Sequence, residues 1–155
     1  MAYRIEGLPP QAFESLFGRS DGELAAQRAV RVTADAPGRF PCRVTLEDAA
    51  PGEELVLLNY VSHDVDGPFR TAYAIFVRKE ARVAASYEDV VPPMLDLRTL
   101  GLRGFDSAGM LRNAMLAAPG EADARIREMF ADPGIATIHA HHAAFGCFFA
   151  RIERS

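Results

Sequence analysis

Gly134-Ile135-Ala136-Thr137-Ile138-His139-Ala140-His141-His142, then Ala143-Ala144-Phe145-Gly146, then Cys147-Phe148-Phe149-Ala150-Arg151-Ile152-Glu153 reads as two extended runs joined by a short turn. β-branched and aromatic residues on either side of a glycine-containing break predict a hairpin, Ile135 to His141 against Cys147 to Glu153. Extended backbone sends alternate side chains to opposite faces. His139 and His141 therefore point one way, and His142 points the other way with Ile138 and Ala140. In the second strand Phe148, Ala150 and Ile152 form the apolar set, and Cys147 falls with Phe149, Arg151 and Glu153. On that parity, a hairpin that buries Phe148 leaves Cys147, His139 and His141 on one shared face.

Upstream of the hairpin, Pro119-Gly120 opens a helix on which Ala122, Ile126, Met129 and Phe130 make one stripe, and Pro133-Gly134 stops it. Met110 to Leu116 and Thr71 to Arg78 read as strands. Leu55 to Val61 is nearly continuously apolar, so a central strand covered on both sides is expected. Cys42, Val44 and Leu46 alternate with Arg43, Thr45 and Glu47, which predicts a strand with Arg43 on its polar face. Val30, Val32 and Ala34 alternate in the same way.

At the N-terminal end, Leu8-Pro9-Pro10 leads into a short helix whose apolar face is Phe13, Leu16 and Phe17. Ser20-Asp21-Gly22-Glu23 has the spacing of a capping box, so a second short helix runs to about Arg28. Lys79 to Gly109, with Pro92-Pro93 and several glycines, has no clear periodicity. The expected whole is a single domain over 1–155 of the α+β class. It has a mixed, largely antiparallel β-sheet, two short N-terminal helices and one longer helix before the C-terminal hairpin.

The chain has 155 residues, 49% hydrophobic and 25% charged, the balance of an ordinary globular protein able to fold without disulfides or metals. A net charge of −4 argues against a nucleic-acid-coating protein, which needs surplus cations to displace counterions. Met1 to Glu6 carries charges where a secretory signal needs an apolar core. No run approaches the ~20 apolar residues of a membrane span. A cytoplasmic location without membrane contact is expected. Two cysteines, Cys42 and Cys147, are too few for a secreted disulfide framework, and a reducing compartment keeps them as thiols.

Four groups of residues carry possible chemistry. The His139-x-His141 pair on a strand can aim two imidazoles at zinc or iron, and Cys147, just across the turn, is the candidate third metal ligand. Cys42 could complete such a set. Without a metal, a thiol beside an imidazole is a candidate nucleophile, which makes Cys147, His139 and His141 the catalytic candidates. Cys42 and Cys147 could also form a redox pair. Arg43 and Arg70 are candidate substrate-binding residues, because a guanidinium can clamp a carboxylate or phosphate. Buried cysteines are more often small hydrophobes, and strand histidines more often bond to carbonyls or acids.

Phe40-Pro41-Cys42-Arg43, Pro51-Gly52-Glu53, Ile75-Phe76-Val77-Arg78 and the His139-Ala140-His141…Gly146-Cys147 element resemble an uncharacterised bacterial family, number twelve hundred and three among domains of unknown function. The likeness extends along the chain and implies a one-domain protein of about this length. It carries no activity, substrate or cofactor with it. The sequence departs from the family pattern at His142, where Asn is expected, and at Ala74, where Pro is expected. Its F-P-C-R and H-x-H…G-C elements contain both cysteines and the histidine pair, which points to a shared site. The favoured expectation is a small-molecule binding or enzymatic domain with a His/Cys site. The alternative is a non-enzymatic interaction module, a homodimer formed through the C-terminal hairpin.

Overall fold

The terminal hairpin forms, with a bulge that interrupts its alternation, and it lies in the middle of a sheet rather than at an edge. In a computed structural model describing residues 1–155, nine strands and three α-helices follow one another along the chain. They are β1 (Tyr3–Glu6), α1 (Asp21–Ala26), β2 (Ala29–Thr33), β3 (Glu54–His63), β4 (Thr71–Arg78), β5 (Ser86–Glu88), α2 (Pro93–Asp96), β6 (Leu100–Phe105), β7 (Leu111–Ala117), α3 (Ala122–Phe130), β8 (Thr137–His142) and β9 (Phe148–Arg154). The fold is α+β. Its strands divide into a six-stranded sheet, β5-β1-β9-β8-β6-β7, and a three-stranded sheet, β2-β3-β4. Every ladder is antiparallel, and the one parallel contact is an isolated bridge between Cys42 and Phe76. No helix is long and apolar enough to cross a membrane.

One face of the larger sheet carries the main core. Tyr3, Ile5, Leu102, Ile138, Ala140 and Ile152 pack there with the apolar stripe of α3. Ala122, Ile126, Met129 and Phe130 are all buried, as their spacing predicts. Each of the three larger side chains contributes roughly 1.5–3 kcal/mol by leaving water. The smaller sheet packs Val56, Ile75 and Val77 against Phe13, Leu16 and Leu24. Phe13 and Leu16 belong to two short 3₁₀ segments, Pro10–Ala12 and Glu14–Gly18, rather than to one helix. The capping box is present: Glu23 N–H donates to Ser20 Oγ at 3.2 Å, and Ser20 N–H donates to the Glu23 carboxylate at 3.4 Å. Helix α1 ends at Ala26, two residues before Arg28 takes a left-handed φ of 56°.

The expected strand at Cys42 is absent. Its alternation is real, but Pro41 through Val44 are all buried, and Leu46 has a left-handed φ of 52°. Leu46 N–H donates back to Cys42 O, so the segment is a tight turn. Its backbone groups are satisfied by three separate partners: Arg43 N–H donates to Phe76 O, Leu8 N–H to Arg43 O, and Ala85 N–H to Val44 O. With those groups satisfied the segment needs no ladder. Gly7 is what lets the chains approach, since a Cβ there would collide with the Val44 carbonyl. The consequence for function is that Arg43 points inward, 1% exposed, instead of lying on a wet face.

Candidate functional site

Arg43 is the largest fully buried side chain in the protein. Its Nε donates to the Phe148 carbonyl at 2.7 Å and its Nη1 to the Pro41 carbonyl at 2.5 Å. The Cys147 thiol is its further side-chain hydrogen-bonding neighbour, and no Asp or Glu pairs with the group. The guanidinium carbon sits 4.8 Å from the centre of the Phe149 ring, a cation–π contact that replaces part of the lost hydration. Burial lowers its pKa to about 10, and the neighbouring Cys147 thiol acts in the opposite direction, so the group stays cationic at neutral pH.

This cation lies at a cavity of about 350 Å³ whose lining also includes Arg39, Phe40, Arg98, His142 and Phe145. Arg98 is already neutralised by a bidentate pair with Asp48, at 2.7 and 3.1 Å, and its remaining bonds go to the carbonyls of Met94 and Gly38. Arg39 is exposed at the rim, as is Asp35, the one acid in the lining. The deep end of the cavity thus presents an unpaired positive charge, while its acid stands in solvent where its field is screened.

His142 holds the cavity's outer turn. Its Nδ1 accepts from the backbone N–H groups of Ala144 and Phe145, at 3.1 and 3.0 Å. An Asn side chain closes a turn by accepting from amides just ahead of it, and the imidazole here supplies the same acceptor. Burial, with Arg98 and Arg43 nearby, lowers the His142 pKa and keeps Nδ1 an acceptor.

The other two histidines of β8 face away from this cavity into the seam between the sheets. His139 and His141 lie beside Phe148, with ring centres 5.4 and 5.9 Å away, and His63 from β3 approaches His139 at 5.1 Å. His63 stacks on Phe105 at 4.0 Å and bonds through Nε2 to the Gly109 carbonyl at 3.0 Å. His141 Nδ1 bonds to the Gly146 carbonyl at 2.9 Å, which assigns the proton to that nitrogen. His139 Nδ1 is buried without any partner. Burial drives the His139 pKa down to about 3 and the His141 pKa to about 4, so both rings are neutral. His63 and His139 border a second cavity of about 450 Å³, together with Tyr60, Asp64, Asp106 and Arg151.

The structure therefore splits the residues that the alternation grouped. Cys147, half-buried, neighbours Arg43 rather than the histidine pair. The reason is a bulge: Ala140 pairs with Ala150 and His141 with Phe148, so Phe149 is an extra residue that shifts the parity of β9. Cys42, buried, accepts from the Arg78 backbone N–H at 3.4 Å and also lies near Arg43. Arg70 forms an exposed pair with Asp64 at 3.3 Å and takes no part in the Arg43 cavity. No group of three or more His, Cys, Asp or Glu side chains is arranged to hold a metal ion, so the zinc or iron set of His139, His141 and Cys147 is not assembled. Sequence reading missed Arg98 and His63. Arg98 sat in a segment without periodicity, and His63 lies beyond the apolar run Leu55 to Val61 that marked the strand, which in the structure extends to His63.

An α+β protein with a buried, unpaired guanidinium at the base of an aromatic-walled cavity is the class these features define. The chain belongs to the family described as "Protein of unknown function (DUF1203)", whose model matches residues 39–154. The match contains every residue of the Arg43 cavity except Asp35 and Gly38, and it omits β1, which nevertheless completes the larger sheet by pairing with β9. No curated protein and no solved structure matches the chain.

Proposed function

We propose that this protein binds a small organic anion, a carboxylate or a phosphate, seated on Arg43. The observation that carries the reading is a 1% exposed guanidinium with no acidic partner at the base of a cavity. An isolated buried charge is costly, and an oxyanion arriving from solvent supplies the missing partner in a site already shielded from water. The cavity's size suits a compact metabolite. The F-P-C-R and G-C elements meet here in space, which supports a common purpose for them. An enzymatic form of the reading makes Cys147, the half-buried thiol beside Arg43, the nucleophile. Free thiols at Cys42 and Cys147 support a reducing, cytoplasmic setting.

Self-association is the second reading. Both hairpin strands are paired on each side, so a homodimer through the hairpin would meet at its turn, where Phe145 is 73% exposed. Sedimentation velocity across a concentration series separates the readings, since a binding protein needs no dimer.

The test of anion binding is a thermal-unfolding screen with acetate, benzoate, inorganic phosphate and phenyl phosphate at millimolar concentration and fixed ionic strength. A ligand at one hundred times its Kd stabilises by about 2.7 kcal/mol, several degrees in Tm. Arg43→Met should abolish the shift and Arg39→Ala should reduce it. No shift with any anion in the wild type would refute the proposal.

A further inference from the structure

The cavity's walls narrow the ligand further. Phe40 packs on Phe76 with ring centres 5.2 Å apart, tilted by 59°, on one side. On the other, Phe145 lies over His142 at 4.6 Å with the planes 33° apart. Phe145 stands in the turn Ala143–Gly146, and its ring leaves most of its surface in water although the neighbouring strands bury theirs. The turn's backbone is held by the Ala144 and Phe145 N–H bonds to His142 Nδ1, and the Phe145 ring rests against the His142 imidazole at the cavity mouth. Phe149 covers the deep end, and both Arg43 and Arg98 lie over its ring, at 4.8 and 5.7 Å.

We infer that the ligand is an aromatic oxyanion, a ring bearing a carboxylate or phosphate, with its anionic group on Arg43 and its ring against Phe145 and Phe40. This inference rests on the proposed anion site and deepens it. An aromatic ring between tilted phenylalanines gains edge-to-face and offset contacts that an aliphatic ring of equal size does not. Arginines at the rim and wall add attraction to a π-face. A cavity of about 350 Å³ admits one ring and its substituent with room for solvent at the mouth.

The experiment is calorimetric titration of the full-length protein with benzoate, cyclohexanecarboxylate, phenyl phosphate and inorganic phosphate, repeated on Phe145→Leu and Arg43→Met. Phe145→Leu keeps an apolar side chain on an exposed turn and leaves the core untouched. The expected result is that benzoate binds roughly tenfold more tightly than cyclohexanecarboxylate, and that Phe145→Leu removes most of the advantage. Phenyl phosphate against benzoate then reports which oxyanion Arg43 prefers. Equal affinity for the two carboxylates in the wild type, or an aromatic preference untouched by Phe145→Leu, overturns the aromatic inference while leaving the anion site standing. Binding that survives Arg43→Met overturns the anion site itself. Arg39→Ala, an exposed change, serves as the folded control, with a several-fold loss expected for every anion alike.

Discussion

Acidification should unfold this protein through its buried histidines well before its carboxylates titrate. His139 and His141 are pushed by burial from about 6.5 to about 3 and about 4, with His63, Arg103 and Arg151 facing His139, and Arg103, Arg43 and His63 facing His141. A depressed folded pKa means that the unfolded chain binds more protons, so stability is complete above about pH 6.5 and falls as the pH drops below it. One pKa unit corresponds to 1.36 kcal/mol, so at pH 5 each histidine has cost about 2 kcal/mol and the pair about 4 kcal/mol. That is a large part of the 5–15 kcal/mol typical of a domain. Aspartate and glutamate effects, such as those of Asp123 and Asp132, whose pKa values are lowered by their arginine and backbone partners, enter only below about pH 4.5. The measurement is urea unfolding at pH 8, 7, 6 and 5, followed by far-UV circular dichroism because the chain has no tryptophan. The midpoint should be flat from pH 8 to 7 and fall steeply from 6.5 to 5, and a His139→Phe/His141→Phe variant should flatten that slope. A wild-type midpoint unchanged between pH 7 and pH 5 would refute the account of the seam as a buried, neutral histidine cluster.

Three smaller predictions follow from individual residues. Ser20→Ala removes an N-cap that accepts from Glu23 N–H, and urea denaturation should show a loss of about 1 kcal/mol; no change would mean that α1 adds nothing to global stability. Native alkylation with iodoacetamide should add one group, at Cys147, and reach the fully buried Cys42 only in denaturant; equal rates at both thiols, read by peptide mass spectrometry, would contradict the burial assigned to Cys42. Elemental analysis of untagged protein should find zinc and iron well below one per chain, before and after a His139→Ala/His141→Ala exchange; stoichiometric metal lost in that variant would show that the seam recruits a third ligand.

Local regularity made much of the fold legible. The stripe of Ala122, Ile126, Met129 and Phe130, the capping box at Ser20 and the apolar run from Leu55 each depend on residues close in sequence, and each formed. β1 escaped notice although Tyr3 and Ile5 alternate with Arg4 and Glu6, because four residues give a weak signal until a partner strand is known. The segment at Cys42 misled for the opposite reason. Its alternation satisfied the strand pattern, but partners at Leu8, Phe76 and Ala85, all remote in sequence, claimed its backbone first. Nothing in the sequence announced that the strands would divide into two sheets, since the division depends on which edges meet.

The site turns on a single bulge that the sequence does not mark. Strict alternation through Cys147-Phe148-Phe149-Ala150 opposes the two phenylalanines but ties Cys147 to the histidines. Instead His141 pairs with Phe148 and Ala140 with Ala150, leaving Phe149 unmatched. Phe148 then closes the histidine seam while Phe149 turns to Arg43. A bulge takes backbone groups off the ladder, and Arg43 Nε meets the Phe148 carbonyl at that place. Part of the reason for burying an arginine is therefore structural: it serves the Phe148 and Pro41 carbonyls, which a shorter or apolar residue would leave unpaired. Serving carbonyls needs only donors, and it leaves the positive charge uncompensated. A neutral glutamine, whose amide nitrogen stands at the level of Nε, serves the Phe148 carbonyl without that cost and gives up only the Pro41 bond, so the retained charge is what argues for an anion. Arg43→Gln makes the distinction: a purely structural arginine predicts a folded protein with unchanged ligand response, whereas an anion seat predicts a folded protein that no longer responds to benzoate or phosphate.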